Sequence, residues 1–137
     1  LTFALLEKVL RTYSSAKEIS SDNLVVHLLT RDRFELEKLG ETILGGVKKT
    51  YIKRYKIKLI ESEVEAGSGS LPTEKIPSMA ITFSSTSLKS SEFSSLFRMA
   101  SFPILGYIHR NQFRIDLKAI PADLAEVCTQ IFNEVLC

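Results

Sequence analysis

A run of glycine, serine and proline between two apolar segments is the stretch of this sequence most suggestive of a site. Gly67, Ser68, Gly69 and Ser70 precede Leu71-Pro72. Glycine lets another group approach the main chain closely, whereas proline restricts φ. Hairpins usually join their strands with about two to five residues, so this connection is unusually long. The pattern leaves two interpretations open, a binding site and a wide structural loop.

A second candidate is a basic run in which residues 48–58 carry six positive charges within eleven residues, with two tyrosines interleaved. Such a run could follow the phosphates of a nucleic acid, and its candidate contacts are Lys48, Lys49, Lys53 and Arg54. The simpler interpretation is the C-terminus of a helix, where cations complement the helix dipole, leading into the polar face of a strand. We favour the helix-end interpretation.

Other catalytic patterns are weak in this sequence. His27 and His109 are its only histidines, and no cysteine–histidine spacing suits a metal. Arg114, Asp116 and Lys118 alternate as residues on one face of a strand do. Arg114 and Lys118 could hold an anionic group, although exposed strand charges are the commoner explanation. We therefore predict no catalytic residue and no metal ligand.

The length of 137 residues suits one domain, and the net charge of +2 does not by itself imply a nucleic-acid partner. Cys128 and Cys137 fall on or beside one helical stretch, where a nine-residue separation spans roughly 13 Å, too far for a disulfide. This favours a reduced, cytoplasmic protein. No apolar run reaches membrane-spanning length, so no membrane partner is expected. Leu1 opens directly into a helical pattern, which suggests a fragment of a longer chain.

Periodicity predicts four helical segments and one ambiguous segment. Residues 2–13 form an amphipathic helix, and residues 24–29 are a helix or a strand. Asp32 and Glu35 resemble a capping arrangement that opens a helix extending to about Val47. A short helix surrounds Phe93 and Phe97, and the last helix follows Pro121.

Strand patterns occur in two pairs, at residues 55–65 and 79–83 and at residues 104–110 and 112–118. The second pair is joined at Arg110-Asn111, where asparagine tolerates left-handed backbone. Paired strands with interspersed helices predict an α+β fold. We expect an antiparallel or mixed four-stranded sheet with helices mainly on one face.

These segments, in this order, resemble a known family. Residues 65–72 (Glu-Ala-Gly-Ser-Gly-Ser-Leu-Pro) and 77–83 (Pro-Ser-Met-Ala-Ile-Thr-Phe) resemble the C-terminal part of bacterial selenocysteine synthases, the L-seryl-tRNA(Sec) selenium transferases. Residues 103–108 and 115–118 resemble its Pro-Val-Ile-Gly-Arg-Ile and Leu-Asp-Leu-Arg runs. Residues 1–13 are similar to the helix between its large and small domains.

The resemblance implies the small C-terminal domain of a fold type I pyridoxal-phosphate enzyme. Residues 1–23 would be the inter-domain helix and linker, and residues 24–137 the small domain. The parent would convert seryl-tRNA(Sec) to selenocysteinyl-tRNA(Sec) with selenophosphate, using pyridoxal 5′-phosphate as electron sink. Its partners would include the large domain of the same chain and further copies in a homo-oligomer.

The resemblance also limits what this chain would do. The lysine that holds the cofactor lies in the family's large domain, so we expect this fragment neither to bind it covalently nor to be active alone. The loop at Gly67, Ser68, Gly69 and Ser70 would be one wall of the substrate cleft. Lys118 stands where the family has arginine, which weakens bidentate binding and makes a structural role plausible. Glu65 stands where glutamine is expected, which puts any role there in doubt.

Two alternatives remain open from the sequence. The first is the small domain of a related pyridoxal-phosphate lyase or transferase that does not act on tRNA. The second is a stand-alone, non-enzymatic α+β module that binds a ligand or RNA. The basic run is the observation that supports this alternative.

Overall fold

A computed structural model describes residues 2–13, 23–65 and 75–137 of the chain. The chain divides into two compact units, Leu1–Arg31 and Asp32–Cys137, which are considered separately below. The division into a linker at residues 1–23 and a small domain from residue 24 concerns the parent protein and stays a prediction.

The first unit contains two helices, α1 (Thr2–Thr12) and α2 (Leu24–Thr30). The prediction of a helix near residues 2–13 is confirmed, and the ambiguous segment at residues 24–29 is helical. Asn23 begins α2, because its side-chain oxygen accepts hydrogen bonds from the backbone N–H groups of Val25 and Val26 at 3.1 and 3.2 Å. The apolar side chains of α1 are exposed: Phe3, Leu5, Leu6, Val9 and Leu10.

The second unit begins with two helices joined by a tight turn, α3 (Arg33–Gly45) and α4 (Lys49–Arg54). The predicted capping box is confirmed: Glu35 N–H donates to Asp32 at 2.8 Å, and Asp32 N–H donates to the Glu35 carboxylate at 2.9 Å. At its other end, α3 is tied to the last helix of the chain. The Thr129 hydroxyl donates to the Ile43 carbonyl at 3.0 Å.

In the remaining elements, each of two helices follows a pair of strands. They are β1 (Lys58–Glu65), β2 (Lys75–Phe83), α5 (Ser90–Arg98), β3 (Tyr107–His109), β4 (Gln112–Asp116) and α6 (Ala125–Val135). Two short 3-10 turns, Leu117–Ala119 and Ala122–Leu124, lie between β4 and α6. The four strands form one antiparallel sheet in the order β1-β2-β4-β3. The predicted α+β fold is confirmed, and the sheet is antiparallel rather than mixed.

A phenylalanine core, defined here as Phe83, Phe93, Phe97, Phe113 and Phe132, joins the sheet to α5 and α6. All five rings are fully buried. Phe83 lies at its centre, with ring centroids of the other four 5.0 to 5.8 Å away. Burying a phenyl ring stabilises the fold by about 1.5–3 kcal/mol, so this cluster is a major source of stability. It lies on one face of the sheet, and the helices therefore cover that face.

The hairpin between β3 and β4 turns at Arg110 and Asn111, as predicted. Their φ angles are 48° and 60°, both in the left-handed region. Two consecutive left-handed residues define the type I′ turn, whose twist matches that of the flanking strands.

Several predicted strand boundaries are wrong. β2 begins at Lys75 rather than at residue 79, and β4 ends at Asp116 rather than at residue 118. The strand predicted from residue 55 begins at Lys58, and α4 occupies part of the basic run instead. Tyr55 and Ile57 are both buried because the left-handed Lys56 between them, with φ 43°, turns the chain and mimics strand alternation. The strand predicted at residues 104–110 is limited to Tyr107–His109, because the chain before it is irregular.

The two cysteines are free, as expected from their separation. Cys128 is buried in α6, and burial raises the pKa of its thiol because the charged thiolate would be desolvated. Cys137 is exposed. Among the described residues, no helix is long and apolar enough to cross a membrane.

Two glycines make opposite demands on the fold. A Cβ at Gly106 would clash with the Arg114 backbone oxygen and lie 2.6 Å from the Phe113 ring, whereas a Cβ at Gly45 meets nothing within 4 Å. We expect Gly106→Ala to lower the free energy of unfolding by about 1–3 kcal/mol through overpacking. Gly45→Ala should raise it by up to about 1 kcal/mol, because alanine is the better helix former. Urea denaturation measures both, and equal effects would contradict the close approach at Gly106.

Candidate functional site

The face of the sheet opposite the helices carries a polar cluster that the strand register brings together. Ser62 on β1 pairs with Ser78 on β2, and Ala80 on β2 pairs with Asp116 on β4. Directly paired residues point to the same side of a sheet, and so do residues two apart along a strand. The phenylalanine core fixes the opposite side, so these residues lie on the face that the core does not cover.

Asp116 is the centre of this cluster. Its carboxylate accepts a hydrogen bond from Ser62 Oγ at 2.8 Å and one from Ser78 Oγ at 2.6 Å. It also accepts one from the Lys118 backbone N–H at 3.0 Å. One side chain therefore joins β1, β2 and the turn that ends β4. Hydrogen bonds to a carboxylate are roughly twice as strong as neutral ones, so the cluster is well ordered.

Arg114 and Tyr107 lie directly opposite each other on β4 and β3, next to Asp116. Arg114 donates from Nη2 to the Gln112 side chain at 3.3 Å, while its buried Nε has no hydrogen-bond partner among the described residues. The pKa of Tyr107 is raised, first by burial and then by the negative charge of Asp116. The Arg114 guanidinium acts on that pKa in the opposite direction.

A groove with a volume of about 860 Å³ runs over this face. Its lining includes Ser62, Ser78, Tyr107 and Arg114. The lining also includes Glu61, Glu63 and Glu65, and the Ser62 and Ser78 hydroxyls already donate to Asp116, so the groove is a polar surface of mixed charge. In the described part of the chain, no group of histidine, cysteine and acidic residues could hold a metal ion.

The sequence suggested that Lys118 shares a strand face with Arg114 and Asp116, and this prediction is wrong. Lys118 lies in the 3-10 turn after β4, because the Asp116 carboxylate binds its N–H and ends the strand. Its side chain is buried, and Nζ donates to the Pro77 carbonyl at 3.2 Å. This contact fastens the turn to β2. Its role in a substrate cleft stays a prediction.

The loop at Gly67, Ser68, Gly69 and Ser70 lies outside the described residues. The strands that hold it are described: Glu65 pairs with Lys75, and three further pairs lead to Ser62 and Ser78. At about 3.3 Å per residue, the Asp116 cluster lies roughly 10 Å from the two ends of the loop.

The four predicted nucleic-acid contacts belong to a different part of the second unit. Lys48 precedes α4, while Lys49, Lys53 and Arg54 lie on it, and all four are exposed. Helix and sheet thus present two separate groups of candidate residues. The structure adds Ser62, Ser78 and Tyr107 to the sheet face opposite the phenylalanine core. Their only sequence signal is a polar residue at alternate strand positions, and it is too common to identify them.

The fold and this face together define a small α+β domain with one dry and one polar sheet face. The sequence model of the L-seryl-tRNA selenium transferase family matches residues 1–121. The chain therefore belongs to that family, and it corresponds to the C-terminal part of the family's members.

Individual relatives agree with this assignment. An L-seryl-tRNA(Sec) selenium transferase of Proteus mirabilis is 31% identical over 123 residues, covering 88% of this chain and 27% of the relative. One from Haemophilus influenzae is 29% identical over 118 residues, with 85% and 26% covered. One from Shewanella oneidensis is 26% identical over 132 residues, with 96% and 28% covered. The chain spans about a quarter of the length of these relatives.

The Asp116 cluster gives a stability prediction. We expect Asp116→Ala to lower the free energy of unfolding by about 2–4 kcal/mol, because it removes a charged acceptor shared by three donors. Glu41→Ala is the matched control, since Glu41 is exposed on α3. It should change stability by no more than about 0.5 kcal/mol. Chemical denaturation with both variants makes the comparison, and similar losses would show that the Asp116 hydrogen bonds contribute little.

Proposed function

We propose that this chain is the C-terminal domain of an L-seryl-tRNA(Sec) selenium transferase. The full-length parent would convert seryl-tRNA(Sec) to selenocysteinyl-tRNA(Sec), with selenophosphate as selenium donor. The observation that carries the proposal is the family match over residues 1–121. That match does not favour a related enzyme that does not act on tRNA. It also does not favour a stand-alone, non-enzymatic α+β module.

Pyridoxal 5′-phosphate would supply the electron sink for this chemistry. We infer that the lysine which holds it belongs to a part of the parent outside this chain. Lys118 is the buried lysine among the described residues, and its amine is already used by the Pro77 carbonyl. The fragment would then be inactive by itself.

The part of this chain in the reaction would be to shape one side of the substrate cleft. The loop at Gly67, Ser68, Gly69 and Ser70 would form that wall. The antiparallel pairing of Glu65 with Lys75 supports this, because it places the two strand ends that flank the loop side by side at one end of the sheet. The parent would contribute its large domain and further copies of itself as a homo-oligomer.

Full-length protein tests the proposal through selenium transfer from selenophosphate to seryl-tRNA(Sec). Replacing residues 67–70 by four alanines should lower kcat/KM by about tenfold or more, because cleft walls position substrate. Ser85→Ala with Ser87→Ala is the matched control. Those serines lie in the loop that leaves the opposite end of β2.

Turnover of a free amino acid without any turnover of seryl-tRNA would overturn the proposed reaction. Equal activity of the four-alanine variant and the wild-type protein would leave the reaction intact but refute the cleft wall. Thermal unfolding of each variant shows whether a loss of activity comes from a loss of folding.

A further inference from the structure

Residues 48–58 carry the most concentrated charge of the chain. They contain six of its 18 lysines and arginines and none of its 16 acidic residues. All six cations are exposed, and we call them the basic surface: Lys48, Lys49, Lys53, Arg54, Lys56 and Lys58. The ion pairs found in the described part of the chain involve other residues. The basic surface is therefore not neutralised by ion pairs with carboxylates in that part.

Helix-dipole stabilisation, the simpler explanation from the sequence, accounts for only part of this charge. Lys53 and Arg54 lie in the last turn of α4, where cations are favourable. Lys48 and Lys49 lie at its start, the positive end of the dipole, where cations are unfavourable. Both also follow the end of the preceding helix, where the Asn133 amide already donates to the Gly46 carbonyl at 2.9 Å.

Lys56 adds a second observation, because the turn it makes to bury Tyr55 and Ile57 does not require a charged residue. Its φ of 43° places a side-chain-bearing residue in the left-handed region just after α4. Helices commonly end with glycine in this conformation, because glycine adopts it without strain. A lysine here keeps a positive charge at the cost of backbone strain. Strain of this kind points towards a function.

Two tyrosines hold part of the basic surface in place. The Lys48 ammonium lies 5.3 Å from the centre of the Tyr51 ring, and the Arg54 guanidinium lies 5.1 Å from that of Tyr55. Tyr55 is buried and packs edge-on against Phe93 at 5.6 Å. Charged side chains that are already ordered lose less entropy when they bind a ligand.

We propose that the basic surface binds the phosphate backbone of RNA. The choice of RNA rests on the proposed function, because the relatives are named for a tRNA substrate. Lysine ammonium groups act as point charges for phosphates, and Lys49 and Lys53 share one side of α4 at i, i+4 spacing. Phosphate contacts set affinity and position and do not read bases, so the surface should bind different RNA sequences alike.

Fluorescence anisotropy of this 137-residue chain with a labelled tRNA transcript tests the proposal. We expect Lys49→Gln with Lys53→Gln to weaken binding about tenfold at low salt. It should also reduce the slope of log K against log salt by about 1.8, because each phosphate that is no longer neutralised reduces it by about 0.9. The matched control is Lys38→Gln with Arg98→Gln, which removes two exposed cations outside the basic surface.

Three results would overturn the proposal. They are equal weakening in the two double variants, no tRNA binding at low salt, and tighter binding to phosphatidylserine vesicles than to tRNA. Circular dichroism of each variant confirms that it is folded before its affinity is compared.

Lys56 allows a test that separates binding from stability. Lys56→Gly should raise the urea midpoint, because glycine relieves the left-handed strain, and should weaken tRNA binding, because a positive charge is removed. Lys56→Gln should weaken binding to the same extent without the gain in stability. If the Lys56→Gly variant binds tRNA as well as the wild-type chain, Lys56 does not contribute to RNA binding. If this variant has a lowered urea midpoint, the backbone at Lys56 is not strained.

Full-length enzyme distinguishes this proposal from the proposed function. If both hold, Lys49→Gln with Lys53→Gln raises KM for seryl-tRNA and leaves kcat unchanged. An inactive parent that still binds tRNA through the basic surface would refute the selenium transfer alone. An active parent whose KM does not respond to the double substitution would refute the basic surface alone.

Discussion

The burial of β2 on both of its faces is the constraint on which the second unit depends. Every residue of this strand from Ser78 to Phe83 is buried. On the helix side, Phe83 contacts the other four rings of the phenylalanine core. On the other side, Ser78 donates to Asp116 and Thr82 donates to the Lys58 carbonyl at 3.3 Å. A buried central strand keeps its polar groups only where neighbouring strands satisfy them.

This constraint explains why the polar face is organised around one carboxylate. Asp116 accepts hydrogen bonds from the Ser62 and Ser78 hydroxyls, and the buried Ser78 needs such an acceptor. The same carboxylate ends β4 by binding the Lys118 N–H. Strand pairing, strand termination and the chemistry of the polar face therefore depend on one carboxylate, and a change there affects all three.

Local features of this fold could be predicted from the sequence, whereas features that depend on distant contacts could not. The Asp32–Glu35 capping box and the Arg110-Asn111 turn were predictable, because each is decided by residues within a few positions. The Ser62–Asp116 hydrogen bond joins residues 54 positions apart, which no local pattern reveals.

The basic run at residues 48–58 also shows that a local sequence pattern does not determine the backbone structure. Its alternating tyrosine, isoleucine and lysine predict a strand, but a single left-handed residue produces the same burial pattern. Sequence periodicity records which side chains are buried and not the backbone that buries them. The end of one long helix would explain the cations of this run. The break after Gly45 instead places Lys48 and Lys49 at the start of a second helix, where that explanation fails.

The phenylalanine core and the basic surface are physically linked through the residues on either side of Lys56. Tyr55 packs against Phe93, and Ile57 is buried in the same hydrophobic core. With both neighbours held inside, the backbone at Lys56 has little freedom to relax, and its side chain must point outward. Six like charges so close together repel one another, which disfavours the compact state. The buried aromatic packing offsets that repulsion. A polyanion bound at this surface would relieve the repulsion directly. The same positive charge that destabilises the free domain therefore favours the binding of a polyanion.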